Sequence, residues 1–330
     1  MGLGRRPSTQ PNTRGITRVR SVPRSLDHSI SRIASYPTMS PSLSSSSHTI
    51  LHILRTARLP ILAQLHIEEA LFRATSNNYL LINDGVESPA IVLGISGKPD
   101  ALVHEDRARE MGVPLVRRFT GGGTVVLDED SIMATVIVGS GASGFGLDCF
   151  PRQIMEWTHG LLTTPAIHKR NTFSLRENDF TIGSRKVGGN AQAISGDKFL
   201  QHTSFLWDYR DDRMALLKAP EKQPGYRERR EHGSFVQRLK EAAPGADSIQ
   251  SIQSIESIQS IESIQSIESD NEGRQRFVDD LVEGCVRGAD WSAVVEVSLE
   301  DAVGVLRRYQ EGKAHGTGQV LLGSRLLVSS

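Results

Sequence analysis

The segment 117–124 reads Arg-Arg-Phe-Thr-Gly-Gly-Gly-Thr and stands between two short apolar runs, 114–117 and 124–127, that are typical of β-strands. Three successive glycines leave backbone N–H groups that a ligand can approach without interference from Cβ atoms. The two arginines supply fixed positive charge and forked donors, which suit a phosphate or a carboxylate. The segment is neither a Walker A loop, because no Gly-Lys-Ser/Thr follows, nor a Rossmann fingerprint. By itself it predicts either an anion-binding loop or a glycine-rich hairpin with two solvated arginines.

Short strands and helices are predicted around this segment, without a strict β-α-β alternation. A helix is predicted to begin after Pro60, a polar helix at 100–111 and a third helix at 152–162. Strands are predicted at 79–82, 90–95, 114–117, 124–127 and 132–138, around Phe180, and at 187–194 and 199–207. This succession predicts an α+β fold, with a mixed and largely antiparallel sheet flanked by helices.

The N-terminal region differs in composition from the rest of the chain. Arginine and serine recur throughout residues 1–57, and Asp27 is the only acidic residue before Glu68. An Arg- and Ser-rich, acid-poor N-terminus is typical of a transit peptide. We therefore expect residues 1–57 to be disordered and to direct the protein to the mitochondrion, or alternatively to the plastid. The remaining alternative is a plain disordered tail on a cytoplasmic protein.

A second unusual region is a run of seven Ser-Ile-Gln or Ser-Ile-Glu triplets at residues 248–268. A period of three matches neither the 3.6 of a helix nor the 2 of a strand, so residues 246–270 are predicted to be a low-complexity insertion. The main domain is then expected to span residues 58–245. Residues 271–330 are predicted to form a C-terminal helical segment and tail, in which 298–301 reads as a capping box for a helix.

Composition excludes several classes of protein. Lys and Arg together number 38, as do Asp and Glu, so no overall basic charge indicates a nucleic acid or an anionic membrane as partner. No stretch approaches the ~18 consecutive apolar residues of a transmembrane helix. Cys149 and Cys285 are the only cysteines and lie far apart. They provide neither a disulfide framework nor a metal knuckle, and they are predicted to be buried, unreactive side chains.

Two further motifs carry polar side chains suited to a ligand site. Lys186, within Arg-Lys-Val-Gly-Gly-Asn at 185–190, can present a compact positive charge to an anionic ligand. Asp179, on the preceding strand, can hold Mg²⁺ or a polar edge of the ligand. His202 stands near the start of a further strand. The alternatives are an exposed lysine on a β-hairpin and a structural, hydrogen-bonded histidine.

In their order along the chain, these motifs resemble those of the biotin/lipoate protein ligase superfamily, and within it the lipoate–protein ligase A family. The series begins with Leu-His-Ile-Glu-Glu-Ala at 65–70 and ends with His202-Thr203, so the resemblance covers about residues 59–209 and extends weakly to Glu241. It implies that 58–245 is a catalytic domain related in fold to class II aminoacyl-tRNA synthetases and biotin protein ligases.

The resemblance also implies a reaction and its partners. Lipoate or octanoate is activated with ATP and Mg²⁺ to an acyl-adenylate, and the acyl group then passes to a lysine of a carrier protein. The carriers of this family are lipoyl domains of 2-oxoacid dehydrogenase complexes and the glycine cleavage H protein. No nucleic acid or membrane takes part, and we expect the protein to act as a monomer.

Individual residues take roles from the same resemblance. Lys186 aligns with the lysine that contacts both acyl carbonyl and phosphate, and it is the predicted catalytic residue. Arg118 aligns with an arginine that contacts nucleotide phosphate, and Asp179 is the predicted metal ligand. The predicted substrate and nucleotide site comprises Arg117, Arg118, Gly121, Gly122, Gly123, Thr124, Val125, Val126, Asp179, Gly188, Gly189, Asn190 and His202.

Departures from the family pattern keep two other functions open. Leu127 stands where family members often have histidine, and 94–98 reads Gly-Ile-Ser-Gly-Lys where an arginine is usual. These changes suit a non-catalytic lipoyl- or carrier-binding relative. The other alternative is an ATP-independent lipoyl/octanoyl transferase, whose thioester needs a thiolate near the lysine. Residues 163–178, where such relatives carry the thiol, contain no cysteine, which favours the ligase.

Overall fold

A computed structural model describes residues 19–20, 49–163, 173–242, 259–314 and 322–327. In these ranges thirteen strands, labelled β1 to β13 in chain order, form two sheets. Their bounds are Val19–Arg20, Ile50–Ala57, Asn78–Asp84, Ala90–Leu93, Leu115–Arg117, Val125–Leu127, Ser131–Val138, Phe173–Arg176, Asp179–Ile182, Arg185–Ser195, Lys198–Leu206, Ala293–Glu296 and Arg325–Leu327. The larger sheet has the order β1-β12-β2-β3-β7-β11-β10-β9-β8, and the smaller has the order β13-β5-β4-β6. Only the neighbours β12–β2, β2–β3 and β4–β5 are parallel among the described strands, which confirms the mixed, largely antiparallel arrangement.

Eight α-helices, α1 to α8 in chain order, accompany the sheets within the described ranges. Their bounds are Ile61–Ala74, Pro99–Leu102, Glu105–Glu110, Pro151–Leu162, Asp211–Met214, His232–Phe235, Gln259–Arg287 and Leu299–Ala314. Helices α4 and α7 pack on the face of the larger sheet to which Leu80 and Ile82 point, and α1 and α8 cover the face to which Leu81 points. This alternation follows from the two-residue period of side chains along a strand. None of the described helices is long and apolar enough to span a membrane.

The N-terminal boundary predicted from composition is wrong, because residues 50–57 form strand β2. This strand lies between β12 and β3, and its Leu51 and Ile53 belong to the core. Its first half, 50–54, is mostly apolar, and the Arg- and Ser-rich neighbourhood concealed this short strand pattern. Apart from Val19–Arg20, which pairs with β12, residues 1–48 lie outside the described residues. The transit peptide and the mitochondrial location therefore remain predictions.

The predicted boundary at residue 270 is also wrong. Helix α7 begins at Gln259, inside the triplet repeat. Its later part places Phe277 and Leu281 in the core. Once that part is anchored, each residue added toward the N-terminus gains a hydrogen bond without a new helix nucleus. Residues 248–258, the first part of the repeat, lie outside the described residues.

Two local differences from the predicted elements concern the smaller sheet and its surroundings. The predicted helix at 100–111 is the two short helices α2 and α3, because the buried Val103 between them bridges to Leu217. Strand β13 pairs with β5, although the sequence after residue 312 shows no clear pattern. The backbone N–H groups of Gly323 and Ser324 donate to the Glu69 carboxylate on α1, which holds this short strand in place.

Replacing Leu281 by alanine should lower the free energy of unfolding by about 2–5 kcal/mol, because the side chain is fully buried between α7 and the larger sheet. Urea denaturation followed by circular dichroism measures the change. Asp279→Ala is the control on the same helix, since its exposed ion pair with Arg55 contributes about 1 kcal/mol or less. Equal effects of the two substitutions would contradict the placement of α7 in the core.

Candidate functional site

A cavity of about 760 Å³ lies between the two sheets. The smaller sheet contributes β4 and β6 to its wall, and the larger sheet contributes β7, β10 and β11. Its apolar lining includes Ile61, Leu65, Val92, Leu127 and Met133. Its polar and charged lining includes Arg118, Asp179, Lys186, Asn190, Gln192 and His202. A cavity of this size and mixed lining suits a small molecule with an apolar part and a polar part.

Lys186 and Asp179 form an ion pair on neighbouring strands of the larger sheet. Nζ of Lys186 lies 2.8 Å from Oδ1 of Asp179, and the two side chains are 21% and 11% exposed. Strand β10 has a β-bulge between Lys186 and Gly188, a distortion that re-aims side chains. At Gly189 a Cβ atom would come within 3.0 Å of Nζ, so glycine leaves space for the ammonium group. Lys186 thus lies in the cavity with its charge partly exposed.

The glycine-rich loop is organised around the guanidinium of Arg118, which is 3% exposed. Its Nε and Nη2 donate to the carbonyl of Gly121, Nη2 also donates to Gly123 at 2.6 Å, and Nη1 donates to a carbonyl of β4. Burial lowers the pKa of Arg118 to about 10, and the charge of Glu68 partly offsets this, so the group stays cationic at neutral pH. Gly122 has a φ of +106°, and a Cβ atom there would lie 2.7 Å from Nη2. Only glycine fits at that position.

Most of the predicted site residues line the cavity, and three do not. Those that do are Arg118, Gly121, Gly122, Gly123, Thr124, Val125, Asp179, Lys186, Gly189, Asn190 and His202. Arg117 instead donates from Nη1 to three carbonyls of the turn at 94–97. Val126 points into the core of the smaller sheet, because side chains alternate along β6. Gly188 lies against Phe205, whose ring a Cβ atom would approach to 3.1 Å.

The position of His202 is fixed by a buried carboxylate, Glu68, that was not among the predicted site residues. Glu68 of α1 is fully buried and accepts hydrogen bonds from Nε2 of Gln64 at 2.8 Å and Oγ1 of Thr135 at 2.7 Å. Its other oxygen lies 3.1 Å from Nδ1 of His202, whose Nε2 is 3.4 Å from Oγ1 of Thr120. This network joins α1, two strands and the start of the glycine loop. A carboxylate on the buried face of a helix signals such a partner, because it is costly to bury alone.

Residues 217–236, called the wall segment below, form a side of the cavity that sequence analysis did not predict. Besides Leu217, the segment contributes eight residues to the lining of the cavity. They are Lys218, Pro220, Lys222, Gln223, Pro224, Arg227, His232 and Phe235. The segment reaches β10 through a bridge between Lys186 and Val236. Burial, assisted by the positive charges of Arg227 and Lys186, lowers the pKa of His232 to about 4. The wall segment has no regular periodicity and matches no motif, so its position could not be predicted.

Two polar atoms in the cavity wall are buried without a hydrogen-bond partner in the described part of the chain. They are Oγ1 of Thr124, at the end of the glycine loop, and Oε1 of Gln223, in the wall segment. A buried polar atom left unpaired costs about 1–3 kcal/mol, so such atoms are rare unless a ligand or water meets them. Both residues line the cavity, on two different walls.

The residues present do not fit a protein-built Mg²⁺ site at Asp179. Its two carboxylate oxygens already meet the ammonium of Lys186 and the hydroxyl of Tyr226. No group of three or more His, Cys, Asp or Glu side chains suited to a metal ion occurs among the described residues. The metal role predicted for Asp179 is therefore not supported, because the residue is engaged by two donors of the protein itself.

Comparison with known proteins assigns the family. The family that matches is described as the Lipoyl protein ligase A/B catalytic domain, and the match covers residues 60–259. The chain therefore belongs to the lipoyl protein ligase A/B family, as its motifs predict.

Its relatives agree with this assignment. The chain is 27% identical over 246 residues to "Inactive lipoate–protein ligase 2" of Plasmodium falciparum. This match covers 58% of this chain and 64% of that protein. The chain spans less than two thirds of the length of the curated relatives that it matches. Its fold is similar to that of a chain from a structural analysis of a bipartite lipoate protein ligase and its E2 lipoyl domain from Thermoplasma acidophilum. The TM-score is 0.53, the identity is 17%, and the match covers 79% of this chain and 91% of the other. The fold is also similar to that of a lipoate-protein ligase A bound with ATP, with a TM-score of 0.52 and 17% identity. This match covers 79% of this chain and 93% of the other.

Acidification should destabilise the folded protein through His232. Its folded-state pKa of about 4 lies below the value of ~6.5 in an unfolded chain, so the unfolded state binds more protons between these values and stability is lost as the pH falls. Between pH 7 and pH 5 this group should contribute a loss on the order of 1–2 kcal/mol. Urea denaturation of wild type and His232→Asn at both pH values measures it. The variant should lose less stability than wild type, and equal losses would show that His232 is not buried as described.

Proposed function

We propose that this protein is a lipoate–protein ligase that activates lipoate or octanoate with ATP and transfers the acyl group to a lysine of a lipoyl-carrier domain. The observation that carries the proposal is a single cavity that combines an apolar lining, the glycine loop and the Lys186–Asp179 pair. Membership of the family supports it. Two proteins of similar fold add support, since one is bound with ATP and the other is described together with its E2 lipoyl domain.

In the first half-reaction, a carboxylate oxygen of the acyl acid attacks the α-phosphorus of ATP, and pyrophosphate leaves. Leu65, Val92 and Met133 suit the hydrocarbon part of the acid. The Lys186 ammonium lies in the same cavity and provides donors for carboxylate and phosphate oxygens. These groups act by positioning the reactants and by offsetting negative charge.

In the second half-reaction, the unprotonated amine of the carrier lysine attacks the acyl carbonyl carbon. AMP leaves with the electron pair of the broken anhydride bond, and the new amide nitrogen loses its proton. Negative charge develops on the carbonyl oxygen during attack. Lys186 can stabilise that charge, because Asp179 engages one of its three N–H groups and the described residues provide no partner for the other two. Loss of one such donor typically lowers a rate by ~10²–10³-fold.

The two cysteines weigh against the transferase alternative, which requires a thioester. Neither Cys149 nor Cys285 lines the cavity, and the chain has no other cysteine. Burial, with the nearby charges of Asp197 and Asp148, raises the pKa of the Cys149 thiol. Burial raises the pKa of Cys285 to about 12. Both groups are therefore neutral thiols at physiological pH, whereas the nucleophile of an acyl transfer is a thiolate.

A non-catalytic lipoyl- or carrier-binding protein is the second candidate. The relative from Plasmodium falciparum is named inactive, which favours this reading for the present chain. Leu127, where family members often have histidine, lines the cavity and adds to the case. Both candidates bind the same ligands, so turnover is the property that separates them.

Lys186→Ala should reduce acyl-dependent exchange of pyrophosphate into ATP by at least ~100-fold, because the lost ammonium offsets charge in both half-reactions. Exchange is measured with radiolabelled pyrophosphate and either lipoate or octanoate. Lys240→Ala is the matched control. Lys240 also forms an ion pair, with Asp208, and is partly exposed, but it lies outside the cavity. It should exchange at the wild-type rate.

Three results of this assay have different meanings. Exchange by wild type that is lost only in the Lys186 variant supports the ligase. Exchange by both variants at the wild-type rate removes Lys186 from the reaction. Absence of exchange by wild type, together with binding of the acid, identifies the non-catalytic alternative.

Cys149→Ser should transfer the acyl group to the carrier within a few-fold of the wild-type rate, because the proposed reaction forms no thioester. Gel-shift or mass analysis of the carrier domain measures the rate. An acyl group trapped on Cys149, or loss of activity in the serine variant at an unchanged melting temperature, would favour the transferase.

A further inference from the structure

We propose that Tyr226 is a positioning residue for the reaction at Lys186 and that it acts through Asp179. This inference rests on the proposed function, because it names a residue that prepares the same site. Its basis is a chain of three groups, which are the phenol of Tyr226, the carboxylate of Asp179 and the ammonium of Lys186. Asp179 and Lys186 line the cavity, and Tyr226 lies behind them.

Different donors hold the two oxygens of Asp179. Oδ1 lies 2.8 Å from Nζ of Lys186, and Oδ2 accepts a hydrogen bond from the Tyr226 hydroxyl at 2.8 Å. Asp179 is 8% exposed, so water has little access to replace either donor. The χ2 angle of an aspartate has a broad energy profile, and one donor alone leaves the carboxylate free to turn. Two donors fix its plane and thereby the direction in which it holds Lys186.

The hydroxyl of Tyr226 is a permanent donor in this chain. Burial, followed by the charge and hydrogen bond of Asp179, raises the pKa of Tyr226 far above its usual value. The phenol therefore stays protonated at physiological pH. Because an ionised carboxylate only accepts, the hydrogen bond has a single direction, from tyrosine to aspartate.

Tyr226 also connects the wall segment to the strands that carry the ion pair. Its backbone N–H donates to the carboxylate of Glu177, in the turn that precedes Asp179, at 3.4 Å. Nη2 of Arg230 donates to the carbonyl of Tyr226 at 2.8 Å and to that of Ser184, in the β9–β10 turn, at 3.0 Å. A displacement of the wall segment would move the phenol, and the carboxylate would lose its second donor. The position of the wall segment thus affects the orientation of the Lys186 ammonium.

Tyr226→Phe tests this directly, because it removes the hydroxyl and keeps the ring, whose centroid lies 5.2 Å from that of Phe235. The variant should lower kcat for acyl transfer by roughly 10- to 100-fold, as a misplacement of ~1 Å can do, with KM for ATP and the acid changed less than ~3-fold. Tyr79→Phe is the matched control. Its buried hydroxyl accepts from Asn77 outside the cavity, and kcat should be unchanged.

A cycle with Asp179→Asn separates positioning from general support of the fold. If Tyr226 acts through Asp179, Tyr226→Phe will change kcat less than ~2-fold in the Asp179→Asn background. If it only stabilises the wall segment, the two losses multiply, and the proposal is overturned. A wild-type kcat in Tyr226→Phe alone also overturns it.

Failure of the proposed function would give a different result, namely no acid-dependent pyrophosphate exchange by the wild-type protein. The melting temperatures of the same four proteins then test the contact without any ligand. A shared hydrogen bond predicts that the double variant shifts by less than the sum of the single shifts. Additive shifts would show that the two side chains do not interact and would overturn the inference.

Discussion

Burial of one cation, the guanidinium of Arg118, sets the geometry of the loop on which the site depends. A buried charge is costly unless it is well hydrogen-bonded, so backbone carbonyls must turn inward to meet it. The carbonyls of Gly121 and Gly123 do so, and the loop can bend this far because Gly122 adopts a positive φ. The neighbouring turn is fitted as closely, since a Cβ atom at Gly94 would lie 2.2 Å from the carbonyl oxygen of Gly122. The arginine and the glycines therefore form one structural unit, which gives the cavity its shape.

The two cations of the site, Arg118 and Lys186, have different roles. Arg118 gives most of its donors to carbonyls and shapes the loop. Among the described residues Lys186 is paired only with Asp179, which engages one of its three N–H groups. The ion pair with Asp179 orients the Lys186 ammonium. The hydroxyl of Tyr226, in the wall segment, donates a hydrogen bond to the second oxygen of Asp179. The resemblance to the family predicts a phosphate contact for Arg118, and in this chain that side chain lines the cavity.

Contiguous motifs could be predicted from the sequence, and contacts between distant residues could not. The glycine loop and the segment around Lys186 are local patterns of residue type, and most of their residues line one cavity. Tyr226 meets Asp179 across 47 positions and His202 meets Glu68 across 134, so no local periodicity encodes either contact. Strand β2 was hidden for another reason, because the composition of a long N-terminal region outweighed eight apolar-rich residues at its end. Helix α7 shows the same limit, since an anchored core helix can extend into a repeat whose period does not favour it.

Intact-mass measurement of a lipoyl domain, incubated with the purified full chain, tests whether the protein joins an acid to a carrier lysine at the expense of ATP. We expect a mass gain equal to one lipoyl or octanoyl amide that requires both ATP and the free acid and that disappears when the target lysine of the domain is replaced. A gain that appears without ATP from an acyl carrier protein donor, or no gain with either donor while the acid still binds, would rule out the ligase reaction.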